Sequence, residues 1–185
     1  MGHLSNDRRY GGEIERLRSP QRLALMEVER VVELALDRIA AQSALDVGTG
    51  SGLFAEAFAA RGLTVAGVDL RDDMLEAARQ YVPGGDFRQG RMESLPFEDV
   101  EFDVVFLGHV LHEADDLVAA LREAHRTARL RVVVLEWPHR VQDYGPPLEH
   151  RLKPEQVAAA GSQAGFTRVE RIDLTHLVLY RLTLA

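Results

Sequence analysis

The 185-residue sequence contains no cysteine, and its only lysine is Lys153. Without cysteine the chain can form no disulfide, no thiolate nucleophile and no cysteine-ligated zinc site. No apolar run approaches the roughly 20 residues that a transmembrane helix needs. The N-terminal segment MGHLSNDRRY is polar and charged, unlike a signal peptide. These absences predict a cytoplasmic protein with no membrane span.

Clustered positive charge is also lacking. The chain has 29 acidic and 22 basic residues, a formal net charge of −7, and no basic stretch that would follow a phosphate backbone. We therefore expect no nucleic acid partner. With 46% hydrophobic and 28% charged residues the composition is that of an ordinary globular protein. The length predicts one domain, with an N-terminal segment (1–42), a ligand-binding core (43–137) and a C-terminal part (138–185).

Strand-like and helix-like segments alternate along the chain, which predicts a doubly wound α/β fold with a mostly parallel sheet. Ser19 and Pro20 are typical of a helix start, and the apolar spacing predicts one long helix to about Gln42. Asp72 is predicted to cap a further helix. The connection centred on 173–176 is too short for a parallel crossover, so the last two strands should be antiparallel. The predicted strands are 44–47, 63–68, a short strand around 87, 102–107, 132–135, 168–174 and 177–184, and further helices are predicted at about 52–60, 72–80, 115–127 and from Pro154 to Gly165.

A glycine-rich turn, DVGTGSG, extends from Asp46 to Gly52 between a buried strand and a helix. Glycines allow close approach of the backbone to a ligand, and the following helix start offers free N–H groups. Position 53 is leucine, so the dinucleotide pattern GxGxxG is not met. Asp69 ends the next strand, where such folds place a carboxylate that accepts bonds from ribose hydroxyls. There are two alternatives. The glycine-rich segment could be a tight turn that binds no ligand, and Asp69 could only begin the polar segment RDDM.

Four segments now resemble a known family in their order and spacing: LDVGTGSGLFAEAFAARG, VAGVDLRDDMLEAAR, GRMESLPFEDVEFDVV and VLHEADD. Over about residues 44 to 137 the sequence resembles the class I S-adenosylmethionine-dependent methyltransferases. It is most similar to the ubiquinone and menaquinone biosynthesis group, methyltransferase type 11. The resemblance implies a Rossmann-like seven-stranded sheet, S-adenosylmethionine as cofactor, S-adenosylhomocysteine as product, a small-molecule methyl acceptor and, as one possible assembly, a homodimer.

The resemblance also implies a cofactor site. The methionine part and ribose would meet Gly48, Thr49 and Gly50, with Asp46 near the amino group and Asp69 on the ribose. The remaining implied neighbours are Leu70, Met74 and Met92 at the adenine, and Gly108 and His109 at the methionine part. Many relatives have an acidic residue for the adenine amino group where this chain has Arg91. Glu93 could replace it, and Arg91 itself could be a surface residue.

His109, His112 and Glu113 follow the fourth strand, at the sheet edge where ligands bind in open α/β folds. Histidine suits general-base catalysis near neutral pH, and a nearby carboxylate can orient it. We select His112 as the base and His109 as the second candidate. The alternative is that both only wall the cofactor. No third ligand has useful spacing, so we predict no metal site.

Two segments are expected to shape the acceptor pocket: the N-terminal segment, with Tyr10 and Arg9, and the long connection from Glu136 to Lys153. Tyr10, His112 and Tyr144 are the predicted acceptor contacts, and a proline-stiffened surface loop is the alternative for the connection. Two other functions stay open. One is a nicotinamide-dependent oxidoreductase, and the other is a protein that binds S-adenosylmethionine without catalysis.

Overall fold

The computed structural model describes Arg9 and residues 11–184, and within these residues the chain forms seven strands and seven helices. The strands are β1 (Ser43–Val47), β2 (Thr64–Asp69), β3 (Asp86–Gln89), β4 (Phe102–Gly108), β5 (Ala128–Glu136), β6 (Arg168–Asp173) and β7 (Val178–Thr183). The helices are α1 (Ile14–Leu17), α2 (Pro20–Met26), α3 (Val28–Leu36), α4 (Leu53–Ala60), α5 (Asp72–Tyr81), α6 (Leu117–Thr127) and α7 (Pro154–Ala164). Short 3-10 turns occur at Leu111–Glu113 and Leu148–His150.

All seven strands form one sheet in the order β3-β2-β1-β4-β5-β7-β6. The first five are parallel, and β7 pairs antiparallel with both β5 and β6. This arrangement confirms the predicted fold and its closing antiparallel pair. The strand order reverses between β1 and β4, so the chain leaves these neighbours in opposite directions. This leaves a crevice at the carboxyl ends of β1 and β4, and open α/β sheets bind ligands in such a crevice.

Helices cover both faces of the sheet, which explains the uninterrupted apolar runs of the central strands. In β4, residues 102–107 are all buried. One core lies between the sheet and the helices α6 and α7, with Leu121 and Val157 at its centre. The other lies under α3, α4 and α5 and includes Val31 and Phe58. The two cores hold the strand ends in place around the crevice.

The predicted long helix after Ser19 is wrong, because the chain breaks at Glu27 into α2 and α3. Glu27 has a left-handed backbone with φ 47°. Its carboxylate accepts bonds from the His176 N–H at 3.0 Å and the Thr175 hydroxyl at 3.2 Å. These contacts with a segment about 150 positions away hold the break. The predicted cap is confirmed, since the Ser19 hydroxyl accepts from the Arg22 N–H at 3.4 Å.

Three predicted boundaries also differ from the structure. Asp72 is the first residue of α5 and not its cap. Asp116 caps α6 by accepting from two backbone N–H groups at 2.9 and 3.0 Å, so that helix begins two residues later than predicted. Strand β5 is longer than predicted at both ends and includes Glu136. None of the helices in the described part of the chain is long and apolar enough to cross a membrane.

Candidate functional site

A cavity of about 750 Å³ lies at the carboxyl ends of β1, β2, β4 and β5. One part is lined by the glycine turn, by Asp69 and by the apolar side chains of Leu70, Met74 and Met92. The opposite part is lined by His109, His112, Glu113, Trp137, Gly145, Pro146, Pro147 and His150. Arg9, Arg16, Leu17 and Arg22 cover it from the N-terminal segment. The cavity therefore joins the predicted cofactor side to the predicted acceptor side.

The glycine turn requires Gly48 at its first bend. Gly48 has φ 69°, and its N–H donates to the Val68 carbonyl at 2.8 Å. A Cβ atom there would lie 2.5 Å from Val110 Cγ2, closer than any real contact of this kind. The missing side chain thus lets Val110 pack directly against the backbone of the turn. Gly48 itself lines the cavity, as the predicted close approach of the backbone to a ligand requires.

Asp69 connects the end of β2 to the glycine turn. One carboxylate oxygen accepts from the Gly50 N–H at 2.9 Å and the other from the Arg71 N–H at 3.0 Å. Burial raises the pKa of Asp69, and these hydrogen bonds oppose that rise. Each oxygen keeps a second lone pair, so the carboxylate can also accept bonds from hydroxyls in the cavity.

Asp46 and Thr49 lie beneath the turn and are not among the described residues that line the cavity. One oxygen of Asp46 accepts from the Thr49 hydroxyl at 2.8 Å and from the Ala55 N–H at 3.2 Å. Burial raises the pKa of Asp46 to about 7, although both hydrogen bonds lower it. Asp46 therefore holds the turn to the start of α4.

At the far end of the cavity, Met92 and Glu93 are lining residues and Arg91 is not. The Arg91 guanidinium forms a close ion pair with Asp115 and a longer one, 3.5 Å, with Glu93. The Glu93 carboxylate also accepts from the Asp115 N–H at 2.8 Å. Arg9 pairs with the same Asp115 at 2.7 Å. Arg91 thus belongs to a half-exposed ion network at the cavity rim.

His112 is bonded to a carboxylate that the sequence analysis did not select. Its Nδ1 lies 3.0 and 2.9 Å from the two oxygens of Glu136, and its backbone N–H donates to the same carboxylate at 3.0 Å. The Trp137 N–H adds a bond at 3.2 Å. The side chains of His112 and Glu136 are both buried. Glu113, the carboxylate next in sequence, is 4.0 Å from Nε2. The adjacency of β4 and β5, whose carboxyl ends meet, was the signal available for Glu136.

His109 lines the cavity, and both nitrogens of its ring are buried. Its ring packs on Trp137 with centroids 4.7 Å apart, and neither ring nitrogen has a hydrogen-bond partner among the described residues. Burial, together with Arg22 and His112, holds the pKa of His109 well below its usual value. The ring is therefore neutral, with one N–H donor and one nitrogen acceptor. Buried polar atoms without partners are rare, and a ligand group could reach these only after the ring or its neighbours move.

The connection after β5 is organised by the buried guanidinium of Arg151. It donates to the carbonyls of Pro138, Arg140, Tyr144 and Pro146 and to the side-chain oxygen of Gln142, at 2.5 to 3.2 Å. This holds Gly145 to Pro147 against the cavity. The Tyr144 hydroxyl instead meets His176 Nδ1 at 2.9 Å, so Tyr144 lies behind the wall and not on it.

Of the predicted acceptor contacts, His112 lines the cavity, Tyr144 does not, and Tyr10 lies outside the described residues. Arg9 lines it as well. Within the part of the chain that the structure describes, no three histidine or acidic side chains are grouped so that they could hold a metal ion.

Part of the sequence matches a known protein family and several curated proteins. A family described as a methyltransferase domain matches residues 45–133, which include the glycine turn, Asp69 and His112. Residues 45–133, just under half of the chain, thus match a methyltransferase domain. Demethylmenaquinone methyltransferase of Chlorobaculum parvum is 38% identical over 86 residues, which cover 46% of this chain and 36% of that protein. Malonyl-[acyl-carrier protein] O-methyltransferase of Serratia marcescens is 36% identical over 91 residues, or 49% and 36%.

The chain thus spans about a third of the length of these curated relatives. Among solved structures, a SAM-dependent methyltransferase from Aquifex aeolicus superposes with a TM-score of 0.82 at 22% identity, over 93% of this chain and 97% of that one. This confirms the Rossmann-like methyltransferase fold beyond the matched segment. The family match ends three residues before Glu136, so that residue lies outside it.

Proposed function

We propose that this protein transfers a methyl group from S-adenosylmethionine to a small-molecule acceptor. The observation that carries the proposal is the single cavity in which the glycine turn and Asp69 face His112 and His109. The resemblance of the four sequence segments and the relatives' names support the donor. The cover of the cavity by the N-terminal segment favours an acceptor small enough to be enclosed.

The residues present fit this cofactor. Gly48 and Gly50 line the cavity without side chains, which suits close contact with the methionine part and ribose, and Asp69 can accept from ribose hydroxyls. Leu70, Met74 and Met92 supply apolar contacts for the adenine. When bound, S-adenosylmethionine supplies an electrophilic methyl group with an excellent leaving group. Asp46 would act on the amino group from behind the turn, through the backbone that it holds.

Given such a donor, the protein's main contribution is to align the two reactants and exclude water. Trp137, Gly145 and the proline pair form the acceptor wall opposite the glycine turn. The ring of His109 lines the same cavity and would pack against a bound reactant. His112 lies where it can accept a proton from the acceptor. Because alignment dominates, we expect that His112→Ala lowers turnover without abolishing it.

Ligand binding distinguishes this proposal from its two rivals. We expect S-adenosylhomocysteine to bind to the wild-type protein in calorimetry, and NAD⁺ and NADH not to bind. Asp69→Asn should weaken S-adenosylhomocysteine binding by about 10- to 100-fold, since a hydrogen bond to a charged group is worth about 1.5–3 kcal/mol. Asp72→Asn is the matched control, because Asp72 is exposed in the first turn of α5.

Tight NAD⁺ binding without S-adenosylhomocysteine binding would establish the oxidoreductase instead. An equal effect of Asp69→Asn and Asp72→Asn would remove the ribose role. Binding of S-adenosylhomocysteine with no methyl transfer to any of a broad panel of phenols, amines, thiols and carboxylic acids would favour the non-catalytic alternative.

A further inference from the structure

Building on the methyl transfer proposed above, we propose that the methyl acceptor is a small organic acid, whose anionic group is held at the arginines of the N-terminal segment. The ligand class is a carboxylate or a phosphate ester with an apolar body. The anion site itself is a property of the residues that line the cavity and does not depend on methyl transfer.

The charged side chains of the N-terminal segment are sorted by sign. Among the described residues 11–22, the charged side chains that line the cavity are those of Arg16 and Arg22. The acidic residues of the same segment, Glu13 and Glu15, are exposed and are not among the lining residues. The whole chain has 29 acidic and 22 basic residues, so this side of the cavity differs in sign from the protein as a whole. Positive charge concentrated on one side of a cleft attracts anions.

Arg16 can bind a ligand directly, because its guanidinium has no hydrogen-bond or ion-pair partner among the described residues. Two other arginines that line the cavity differ in this respect. Arg9 pairs with Asp115 at 2.7 Å, and Arg71 pairs with Asp73 at 2.6 Å. A guanidinium binds a carboxylate or phosphate through paired N–H···O bonds, so the unpaired Arg16 matches an anionic group.

The connection after β5 faces this segment with a second donor and no negative charge. His150 lines the cavity, and its ring has no hydrogen-bond partner within the described part of the chain. The neighbouring Glu149 is exposed and is not one of the described lining residues. A neutral or charged imidazole has an N–H that can donate to an anion. Trp137 and the proline pair add apolar surface, which favours an acid with an apolar body.

Two carboxylates restrict where the anion can lie. Glu113 lines the acceptor part of the cavity, and Glu136 lies behind His112 at the end of β5. Like charges repel, so an anion is disfavoured next to these strand ends. The anionic group is therefore placed on the side of the N-terminal segment, and the apolar body extends toward the strand ends.

Arg22 extends the positive charge to the acceptor wall. Its guanidinium carbon lies 5.9 Å from the centre of the Trp137 ring. Burial first, and the charge of Arg22 next, hold the pKa of His109 well below its usual value. This effect on a neighbouring ring indicates that the positive charge of Arg22 acts on the acceptor part of the cavity.

The carboxylate of the donor's methionine part is the competing partner for Arg16. The next residue, Leu17, packs on the glycine turn, where a Cβ at Gly50 would lie 3.2 Å from Leu17 Cδ1. Arg16 is thus close in sequence to a contact with the cofactor side. Binding of the cofactor product and binding of an acid must therefore be measured separately.

The experiment titrates the 185-residue protein with matched pairs of an acid and its amide, with and without saturating S-adenosylhomocysteine. The pairs are benzoate with benzamide and hexanoate with hexanamide, and protein nuclear magnetic resonance spectra give each Kd. We expect the acid to bind at least about fivefold more tightly than the amide in one pair or both. Arg16→Gln should weaken acid binding roughly two- to fivefold, the range of an exposed ion pair, and leave amide binding unchanged. Arg16→Glu should weaken acid binding further.

Arg122→Gln and Arg122→Glu are the matched controls. Arg122 on α6 is also exposed, has no partner among the described residues and does not line the cavity. These variants change the net charge by the same amount and should leave acid binding unchanged.

Equal binding of acid and amide in both pairs would overturn the proposal, as would equal effects of the Arg16 and Arg122 substitutions. If Arg16→Glu weakens S-adenosylhomocysteine binding as much as acid binding, Arg16 serves the donor's carboxylate and the proposal is wrong. Phenyl phosphate compared with benzoate separates a phosphate ester from a carboxylic acid, and tighter binding of either than of benzamide supports the anion site. Absence of S-adenosylhomocysteine binding in the wild type contradicts the proposed function, and the titrations without that ligand then still decide whether the anion site exists.

Discussion

Asp46 and His109 are single residues whose ionisation is controlled by burial beside the cavity. Burial raises the pKa of Asp46 to about 7 and lowers that of His109 well below its ordinary value. The folded protein therefore binds the Asp46 proton more tightly than the unfolded chain does, and the His109 proton more weakly. As pH rises from about 4 to 7, Asp46 lowers the free energy of unfolding while His109 raises it. The two contributions oppose each other.

We predict that Asp46→Asn stabilises the ligand-free protein above pH 7. The amide oxygen can accept the bonds from Thr49 and Ala55, while the cost of a buried charge disappears. The gain in the free energy of unfolding should be near zero at pH 4 and on the order of a few kcal/mol at pH 8, at about 1.4 kcal/mol per unit of pKa shift. Urea denaturation at pH 4, 6 and 8 measures it, with Asp72→Asn as the exposed control. A gain that does not change with pH would contradict this explanation.

At the scale of elements, the glycine turn and the end of α4 each contain a glycine with positive φ, but only one of them is crowded. Gly48 has φ 69° and faces Val110, whereas Gly62 has φ 85° with nothing within 4 Å of an added Cβ. The left-handed backbone therefore disfavours a side chain at both positions. Contact with a neighbouring side chain disfavours one only at Gly48. This pair separates the two reasons for which a turn needs glycine.

Gly62→Ala should cost about 1–2 kcal/mol in the free energy of unfolding, the penalty for a left-handed alanine, and leave S-adenosylhomocysteine binding unchanged. Gly48→Ala should cost about 1–3 kcal/mol more, because the methyl group is forced against Val110. It should also abolish ligand binding at the cavity floor. Denaturation curves and calorimetry test both variants together. Equal stability losses would show that contact with Val110 adds no cost at Gly48, and normal binding by Gly48→Ala would show that ligand binding does not depend on the packing there.

At the scale of the whole molecule, the N-terminal segment is attached across the cavity by arginines. Arg18 donates to the Ser51 hydroxyl and carbonyl, pairs with Glu56 at 2.7 Å and lies over the Tyr81 ring. Arg71 donates to the carbonyl of Gly12. The same segment contributes Gly11, Arg16, Leu17 and Arg22 to the lining of the cavity. Its order and the occupancy of the cavity should therefore be coupled.

We predict that saturating S-adenosylhomocysteine slows amide hydrogen exchange in residues 11–22 at least several-fold, because the ligand adds contacts beneath α1 and stabilises the closed form. Exchange in β6, at the far edge of the sheet, should not change. Exchange measured by mass spectrometry provides both readings in one experiment. Unchanged protection of 11–22 at full occupancy would mean that the segment is not a lid.

The homodimer stays a prediction that light scattering can test.

The features that depend on neighbours in sequence could be predicted from the sequence alone. The buried runs of β1 and β4, the glycine turn and the cap at Ser19 each show their cause within a few residues, because periodicity, positive φ and capping are local. The same holds for the antiparallel closing pair, whose short connection leaves no other topology. The position of Asp69 also follows, since it is the last residue of a strand next to the turn.

The tertiary structure alone decided which side chains meet. Glu27 breaks a helix because of partners about 150 positions away, and Glu136 rather than Glu113 bonds His112 because two parallel strands end side by side. Asp46 holds the turn to the start of α4 through Thr49 and Ala55, and its predicted contact with the cofactor stays a prediction. Sequence patterns indicate local conformation and which face of a helix or strand is buried. They carry no distance between residues far apart in the chain, and the chemistry of this cavity depends on those distances.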